Sequence, residues 1–305
     1  MPKTKLPNDP LWPRAAQWLG RPVRAVSDAD LALLGVPACQ TSITPTGAWA
    51  TPAAVRDALL RYSTYSWERG VDVATLKAVD AGDVSEPDGP AGEERVRTRA
   101  SEVAAGCRLL LAVGGDNSIT FPVVQGVFNG DLSKCGLVTI DAHHDLRDGE
   151  TNGSPVRRLV EAGLPGERIV QIGIADFSNS PAYAARARDY GITVVTRSTA
   201  ARTPLAQIVA SALGIADAAG GGVFVDIDVD VCDRAVVPGC PSAAPGGLSA
   251  AELREIAFLL ARDPRVRGMD ITEIDATSDA VDQRTVRLAA LLILEAAAGL
   301  AVRDR

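Results

Sequence analysis

Two separate clusters of acidic side chains, one of them with an imidazole, carry the chemistry that this sequence offers most clearly. Asp141, His143 and Asp145 directly follow the apolar run 136–140, which is predicted to be a buried strand. Alternate residues of a strand point to the same face, so these three side chains are predicted to share one face, ~7 Å apart in successive pairs. Two carboxylates and an imidazole at the end of an apolar strand favour a divalent-metal site.

The second cluster repeats this pattern further along the chain. Asp226, Asp228 and Asp230 alternate with apolar residues in the run 223–231. Buried carboxylates at this spacing would repel one another and become neutral unless a cation compensated their charge. Acidic strand ends facing water are the alternative for either cluster alone, but two such clusters together favour a metal centre.

The histidines limit the possible mechanisms. The chain has 2 of them, His143 and His144, and it contains no GxSxG motif. A Ser-His-Asp hydrolase is therefore poorly supported. His144 should point to the opposite face of the strand from His143, and we expect it to be a hydrogen-bonded structural residue rather than a ligand.

The composition indicates a globular chain and argues against large anionic partners. Its 305 residues, 47% apolar and 23% charged, allow one large α/β domain or two small ones. The net charge of −7 argues against nucleic acid or an anionic membrane as a partner. No run approaches the ~20 apolar residues of a membrane span. The 5 cysteines form no CxxC motif, and the start of the chain lacks the apolar middle of a signal peptide, so a cytoplasmic location is expected.

The order of the elements predicts a parallel sheet. Residues 1–30 are expected to be an irregular lead-in, followed by a single domain over 31–305. Eight predicted strands alternate mostly with helices, as in βαβ units, at 31–37, 76–80, 109–113, 136–140, 168–175, 192–196, 223–231 and 266–274. Both an open sheet and a closed eight-fold barrel fit this order, and in either one ligands gather at the carboxyl ends of the strands.

Three motifs together resemble those of the ureohydrolases, the family of arginase, agmatinase and formimidoylglutamase. They are Gly114-Gly115-Asp116-Asn117-Ser118, Asp141-Ala142-His143-His144-Asp145, and the segment 226–233 with Pro238-Gly239 after it. Order and spacing agree over about residues 31–300. The resemblance implies a three-layer α/β/α fold with an open, mostly parallel, eight-stranded sheet. It also implies a centre of two Mn²⁺ ions per subunit and a homo-oligomer, either a trimer or a hexamer.

The resemblance further implies a role for each acidic residue, with Asp226 in the place of a family serine. Asp141 and Asp228 would bridge the two metals, and His143 and Asp230 would complete one of them. Asp145 would bind the other metal, orient the hydroxide that attacks the substrate and relay its proton. Catalysis would also need Glu273, which would face the cationic nitrogens of the substrate.

Two asparagines depart from the family pattern. Asn117 stands where most members have a metal-binding histidine, and Asn152 stands where arginase has a proton-shuttling histidine. An amide oxygen is a weaker manganese ligand than a carboxylate or an imidazole, so the ion next to Asn117 is expected to be weakly held or absent. Some formimidoylglutamases carry Gly-Gly-x-Asn, with asparagine at the position of Asn117. The departure at Asn117 therefore points to a subfamily and does not exclude activity.

Segments 52–56 with 61–65, 152–157 and 284–290 look most like those of bacterial formimidoylglutamases. Their substrate, N-formimidoyl-L-glutamate, has two carboxylates, which call for arginine or backbone donors. Arg147 and Arg157 flank Asn152 and Ser154, and these four residues are the predicted substrate-binding set. An ordinary solvated arginine is the alternative at each of the two arginine positions.

The predicted function is manganese-dependent hydrolysis of the C=N carbon of N-formimidoyl-L-glutamate to L-glutamate and formamide, a step of histidine degradation. Hydrolysis of a guanidino compound such as agmatine or guanidinobutyrate, with release of urea, is the first alternative. The part of the pocket that holds the far end of the substrate should discriminate between these two reactions. It should be rich in arginine for a dicarboxylate and acidic for an amine tail. A catalytically silent binding protein of the same fold is the second alternative.

Overall fold

The computed structural model describes residues 9–303, which contain ten strands. They are β1 Ala29–Val36, β2 Tyr65–Ser66, β3 Val71–Asp72, β4 Ala78–Asp83, β5 Cys107–Gly114, β6 Gly136–Ile140, β7 Ile169–Ile174, β8 Thr193–Thr196, β9 Val223–Asp228 and β10 Val266–Thr272. β2 and β3 form a small antiparallel pair, and the other eight form one sheet.

The main sheet is open and parallel. Its strands lie in the order β4-β1-β5-β10-β9-β6-β7-β8, and every neighbouring pair is parallel. β4 and β8 are the two edges, so the barrel alternative is wrong. β5 and β6 follow one another along the chain but are separated in the sheet by β10 and β9, which opens a crevice at the carboxyl ends of these strands.

Helices cover both faces of the sheet. They are α1 Ala15–Leu19, α2 Thr51–Leu59, α3 Gly89–Ala104, α4 Thr120–Val127, α5 Pro155–Glu161, α6 Pro181–Asp189, α7 Arg197–Ala200, α8 Leu205–Ala216, α9 Ala250–Arg262 and α10 Arg284–Ala301. One apolar core joins the sheet to α2, α8, α9 and α10, and a second core joins it to α3, α4 and α5. Because alternate residues of buried strands enter opposite cores, as Leu109 and Leu110 do, the sheet is the middle of three layers. The predicted three-layer α/β/α fold is confirmed.

A local sequence signal sets the start of α9, whereas a distant contact is made at the start of α2. Ser249 caps α9 with a capping box: Ser249 Oγ accepts from the backbone N–H of Glu252, and Glu252 Oε2 accepts from that of Ser249 over 2.8 Å. Thr51 is the first residue of α2 rather than its N-cap, because its hydroxyl donates instead to the backbone oxygen of Ile274, over 2.5 Å.

The amino-terminal part of the chain is more ordered than predicted. The expected irregular lead-in over 1–30 contains α1, and β1 begins at Ala29, before the predicted boundary. Ala15 and Leu19 are buried in the same core as α2, and Trp18 Nε1 donates to the backbone oxygen of Leu76 over 3.0 Å, which fixes the helix. Residues 1–8 lie outside the described residues. Over the range 9–303, no helix is both long and apolar enough to cross a membrane.

Candidate metal centre and active site

Four neighbouring strands bring the predicted site residues to one edge of the sheet. β5, β10, β9 and β6 are adjacent and parallel, so their carboxyl ends lie side by side. Asn117 follows β5, Glu273 follows β10, Asp228 ends β9 and Asp141 follows β6. A cavity of about 570 Å³ opens above them, and its lining includes His143, Asp145, Arg147, Asn152, Asp228, Asp230 and Glu273.

The turn after β6 departs from the predicted geometry. β6 ends at Ile140, so Asp141, His143 and Asp145 belong to an irregular segment rather than to one face of an extended strand. Asp145 has a φ of 52°, in the left-handed region that few residues other than glycine adopt. The three side chains therefore converge through the shape of the loop, and not through strand alternation.

One group of possible metal ligands forms around His143. Its Nδ1 lies 2.7 Å from Asp230 Oδ2 and 3.6 Å from Asp141 Oδ1. Backbone amides hold both carboxylates, since His143 N donates to Asp141 Oδ1 over 2.6 Å and Ala142 N donates to Asp230 Oδ1 over 3.1 Å. One ligand atom from each of Asp141, His143 and Asp230 lies within 4.8 Å of the others, close enough to share one ion.

A second group was not predicted in this form. Oxygens of Asp141, Asp145 and Asp226 also lie within 4.8 Å of one another. The sequence interpretation placed Asp226 at a serine position and gave it no metal role, although its alternation with Asp228 and Asp230 was a usable signal. Asp141 belongs to both groups, and its role as a bridging ligand stays a prediction.

Burial makes these carboxyl groups poor anions unless a cation is present. Burial, together with repulsion by Asp230, raises the pKa of Asp141 to about 6. Burial also raises the pKa of Asp145, Asp226 and Asp228 well above the usual range of aspartate. Each of these shifts means that the folded protein disfavours the negative charge at that position.

His143 is the cation that partly balances this charge. Burial opposes protonation of the ring, but Asp230 and Asp141 outweigh it and raise the pKa of His143 to about 11. Burial opposes the charge of Asp230 as well, yet the neighbouring His143 keeps the pKa of Asp230 below its usual value. One imidazolium cannot balance all the buried carboxylates, so the cluster needs further positive charge.

The donor set fits manganese. Asp141 Oδ2 and both carboxylate oxygens of Asp226 are buried without a hydrogen-bond donor among residues 9–303. Buried carboxylate oxygens without a partner cost free energy unless a cation or a proton compensates them. Carboxylate oxygens and an imidazole are ligands that suit Mn²⁺, and a bound divalent ion inverts the unfavourable electrostatics of such a site.

Asn117 is in the site, but its oxygen is not free to bind an ion there. Its Nδ2 donates to Asp145 Oδ2 over 2.5 Å. Its Oδ1 accepts from the hydroxyls of Thr120, over 2.9 Å, and Thr272, over 3.0 Å. The prediction that Asn117 is a metal ligand is therefore corrected: Asn117 orients the carboxylate of Asp145.

Glu273 is held in a strained position by its backbone and by one of its two carboxylate oxygens. Its φ is 62°, and its Oε1 accepts from the backbone N–H of Asn117 over 2.8 Å and from Nδ2 of Asn152 over 2.9 Å. Its backbone N–H donates to the oxygen of Gly115, which packs so closely on Ala38 that a Cβ there would lie 1.9 Å from Ala38 O. Burial, followed by repulsion from Asp116, raises the pKa of Glu273 to about 8. Such strain persists only where the surrounding structure fixes it, as at functional sites.

Of the four predicted substrate-binding residues, two line the cavity and two do not. Arg147 and Asn152 line the cavity, and the exposed guanidinium of Arg147 has no hydrogen bond or ion pair within the described range. Arg157 points elsewhere, because its guanidinium binds the backbone oxygens of Arg147 and Gly149 and the carboxylate of Glu161.

Ser154 is also not in the cavity. It is fully buried, and its hydroxyl donates to the backbone oxygen of Thr151 over 2.8 Å and accepts from the N–H of the same residue over 3.0 Å. Arg157 and Ser154 thus hold the backbone of the loop 147–153 through hydrogen bonds. The prediction that they contact the substrate directly is corrected for both.

His144 lies away from the metal ligands, as expected. Its Nδ1 lies 2.7 Å from Gln171 Oε1, and Gln171 Nε2 donates to the backbone oxygen of His144 over 3.0 Å. Burial lowers the pKa of His144, so the ring is neutral at physiological pH. His144 therefore has a structural role, because it links the loop 141–145 to β7.

Three cavity-lining segments, one of which is Pro241 with Ser242, were missed by the sequence interpretation. Ile43 and Thr44 line one side, and their loop is tied to the site by a hydrogen bond from Ile43 N to Asn152 Oδ1 over 3.1 Å. The other side is formed by residues 177–180 and Tyr183. Phe177 there is fully exposed with a φ of 64°, a strained conformation for a bulky residue. Neither loop has a periodic or charged pattern that would mark it in the sequence.

Comparison with known proteins agrees with this architecture. A sequence model of the arginase family matches residues 29–299. The chain is 37% identical over 282 residues to the formimidoylglutamase of Halalkalibacterium halodurans, which covers 89% of this chain and 88% of the relative. It is 33% identical over 298 residues to the formimidoylglutamase of Bacillus subtilis, which covers 93% of this chain and 90% of the relative.

Solved structures give the same result. The crystal structure of formimidoylglutamase from Bacillus subtilis matches with a TM-score of 0.89 and 30% identity, covering 100% of this chain and 97% of that one. Trypanosoma cruzi formiminoglutamase, solved with Mn²⁺, matches with a TM-score of 0.87 and 26% identity, covering 96% of this chain and 100% of that one. The family match over residues 29–299, the identity to these relatives and the shared fold all agree, and the chain belongs to the arginase family.

Proposed function

We propose that this chain hydrolyses the C=N carbon of N-formimidoyl-L-glutamate with water, giving L-glutamate and formamide, in histidine degradation. The enzyme is a metal-dependent hydrolase of linear amidines. Two formimidoylglutamases at 37% and 33% identity over most of the chain support this substrate. The distribution of charge in the cavity supports it independently.

The observation that carries the proposal is the polarity of the cavity. The acidic residues of its lining are Asp145, Asp228, Asp230 and Glu273, all of which belong to the buried cluster at the floor. The cation of its rim is Arg147, with a guanidinium that no other side chain of residues 9–303 engages. A substrate with a cationic amidine at one end and carboxylates at the other matches this arrangement. An amine tail such as that of agmatine would meet Arg147 without an acidic partner.

The metal centre is proposed to hold two Mn²⁺ ions per subunit. Asp141, His143 and Asp230 would hold one ion, and Asp141 with Asp145 would hold the other, with Asp228 beside both groups. Bound manganese supplies a water of lowered pKa, so that a hydroxide nucleophile is available near neutral pH.

Asp145 moves the proton in this scheme. Its Oδ2 is occupied by the amide of Asn117, 2.5 Å away, which leaves Oδ1 to hold the proton of the attacking water. The proton then passes to the amine of glutamate as the bond from that nitrogen to the formimidoyl carbon breaks.

Glu273 orients the amidine. Asn117 and Asn152 both donate to its Oε1, so Oε2 is left to receive an N–H of the substrate. A positively charged amidine would also favour the ionised form of Glu273 and offset the effect of burial on its pKa. Arg147 would bind a carboxylate at the opposite end, which fixes the formimidoyl carbon between Glu273 and Asp145.

Product identification tests this function. Purified protein with Mn²⁺ should convert N-formimidoyl-L-glutamate to equal amounts of formamide and glutamate. Release of ammonia with formylglutamate would show that the other C–N bond breaks, and it would contradict the proposed position of Asp145 as donor to the departing amine.

A cytoplasmic homo-oligomer, either a trimer or a hexamer, completes the proposal. Its five cysteines are all unpaired, which suits a reducing compartment. Light scattering of the purified protein measures the oligomer, and a monomeric mass at working concentration would contradict this part of the proposal.

A further inference from the structure

Asp226 is a buried carboxylate that has a second carboxyl group, that of Asp270, beside it and no hydrogen-bond donor. It is 0% exposed, and neither of its oxygens accepts a hydrogen bond from any described residue. One of its oxygens lies within 4.8 Å of ligand atoms of both Asp141 and Asp145. A carboxylate in this condition requires a cation or a proton close by.

The side chain of Asp226 lies beneath the floor of the cavity and faces the cluster of possible metal ligands. Asp226 and Asp228 are alternate residues of β9, so their side chains share one face of the sheet. Asp228 lines the cavity, whereas Asp226 lies one step deeper and does not. Substrate therefore cannot be the partner of Asp226, but an ion between Asp141 and Asp145 can reach it.

The side of the cluster next to Asp145 receives no metal ligand from Asn117. Asn117 directs Nδ2 toward Asp145, and its Oδ1 is bound by the hydroxyls of Thr120 and Thr272. Asn117 therefore offers no oxygen to an ion beside Asp145. The resemblance to the family places a histidine at this position in most members and a serine at the position of Asp226, so both positions differ in this chain.

We propose that Asp226 is a ligand of the ion that Asp145 binds, in place of the histidine that Asn117 has replaced. The inference rests on the proposed metal centre and goes beyond it by assigning the missing ligand. A carboxylate is a good ligand for Mn²⁺, and an oxygen of this one already lies within 4.8 Å of ligand atoms of Asp141 and Asp145. The ion next to Asn117 is then firmly held, contrary to the expectation from the sequence alone.

A proton shared with Asp270 is the competing explanation. Asp270 lies opposite Asp226 in the register of β9 and β10, and its Oδ1 also lacks a hydrogen-bond donor among residues 9–303. One proton between the two carboxylates would satisfy both without a metal. The experiment must therefore measure metal and not only activity.

The first measurement is the manganese content per chain, after equilibration with a weak chelator, together with calorimetric titration of the metal-free protein. The unmodified protein should bind two ions. Asp226→Ser and the more conservative Asp226→Asn should each weaken one ion by more than about tenfold and leave the other unchanged. Thr139→Val is the matched control, because Thr139 lies opposite Asp226 on β6 and also has a buried side-chain oxygen without a partner. The control should keep both ions.

Rescue by an imidazole is the second measurement. If Asp226 substitutes for the lost histidine, adding Asn117→His to Asp226→Ser should restore the second ion. Thermal unfolding of each variant separates the loss of a ligand from the loss of the fold, and Asp226→Asn serves if Asp226→Ser does not fold.

Unchanged affinity for two ions in both Asp226 variants would overturn the inference and leave the shared proton as the role of Asp226. Binding of a single ion by the unmodified protein would overturn it as well. A protein that binds two ions in this way, yet does not hydrolyse N-formimidoyl-L-glutamate, would contradict the proposed function and leave the assignment of Asp226 intact.

Discussion

Asn117 donates a hydrogen bond from its side-chain Nδ2 to Oδ2 of Asp145, over 2.5 Å. Both side chains are buried, and the amide is itself fixed by hydroxyls of Thr120 and Thr272 at its oxygen. Asp145 therefore has one oxygen committed to a neutral donor and one oxygen available for chemistry. In the proposed mechanism, Asn117 would act on the reaction through the orientation of this carboxylate.

Removing this donor should slow turnover. We expect Asn117→Ala to lower kcat by about 10- to 100-fold with a smaller change in KM, because Asp145 loses its fixed orientation. Ser118→Ala is the control, since the hydroxyl of Ser118 donates to Asp116 and not to the cluster. An Asn117→Ala variant with unchanged kcat would show that Asp145 does not depend on the amide.

Asp141 is expected to be indispensable, because it belongs to both groups of possible ligands. Asp141→Ala should abolish hydrolysis and remove manganese from the protein, as measured by metal analysis. Asp148→Ala, at an exposed aspartate of the same loop, should change neither. Full activity of Asp141→Ala after removal of metal would contradict a metal-dependent mechanism.

The two arginines near the site should respond differently to the same substitution. Arg147→Leu should raise KM for N-formimidoyl-L-glutamate with little change in kcat, because a contact with a distal carboxylate is present in ground and transition states alike. A charge-assisted contact of this kind is worth about 1.5–3 kcal/mol.

Arg157→Leu should instead reduce the free energy of unfolding by about 0.5–1.5 kcal/mol, since it removes the donor to the backbone oxygens of Arg147 and Gly149, which are exposed. Steady-state kinetics and denaturant unfolding of both variants make the comparison. A larger effect on KM from Arg157→Leu than from Arg147→Leu would reverse the assignment.

Without metal, the protein should become less stable as the pH rises from about 5 to about 9. Burial raises the pKa of Asp141 to about 6 and that of Glu273 to about 8. For His143, burial opposes the charge, but Asp230 and Asp141 raise the pKa to about 11. A group with a raised pKa in the folded state contributes stability that is present below its unfolded pKa and lost as the pH rises through its folded pKa. Asp141, Glu273 and His143 therefore act in the same direction over this range.

Thermal unfolding in a chelating buffer should show this fall in Tm. Added Mn²⁺ should reduce it, because metal binding displaces protons from its ligands and is favoured at higher pH. A Tm of the metal-free protein that rises between about pH 5 and about pH 9 would contradict these pKa shifts.

Most of the fold could be predicted because its signals are local. The apolar runs that became β5, β6 and β9 are short and bounded by polar or glycine residues, and the capping box at Ser249 lies within one helical turn. The sequence of α4 carries no such signal, since it contains proline, glycine and three valines, residues of low helix propensity whose helical state depends on packing.

The acidic residues of the site could also be predicted, but their partners could not. Asp141 and Asp228 lie at the ends of apolar strands, where parallel sheets collect their functional groups. The direction of the Asn117 amide depends on hydroxyls from α4 and β10, and the guanidinium of Arg157 is bound by a loop that the sequence does not position. Such contacts join residues distant in the chain and have no periodic signature.

The central claim is the choice of substrate, and the ratio of specificity constants tests it most directly. Purified protein with Mn²⁺ should show kcat/KM for N-formimidoyl-L-glutamate, followed by formamide release, at least about tenfold above that for arginine, agmatine or guanidinobutyrate, followed by urea release. A tenfold ratio requires only about 1.4 kcal/mol of differential transition-state binding, which a single contact with Arg147 could supply. A higher specificity constant for urea release from any of the guanidino compounds would contradict the account.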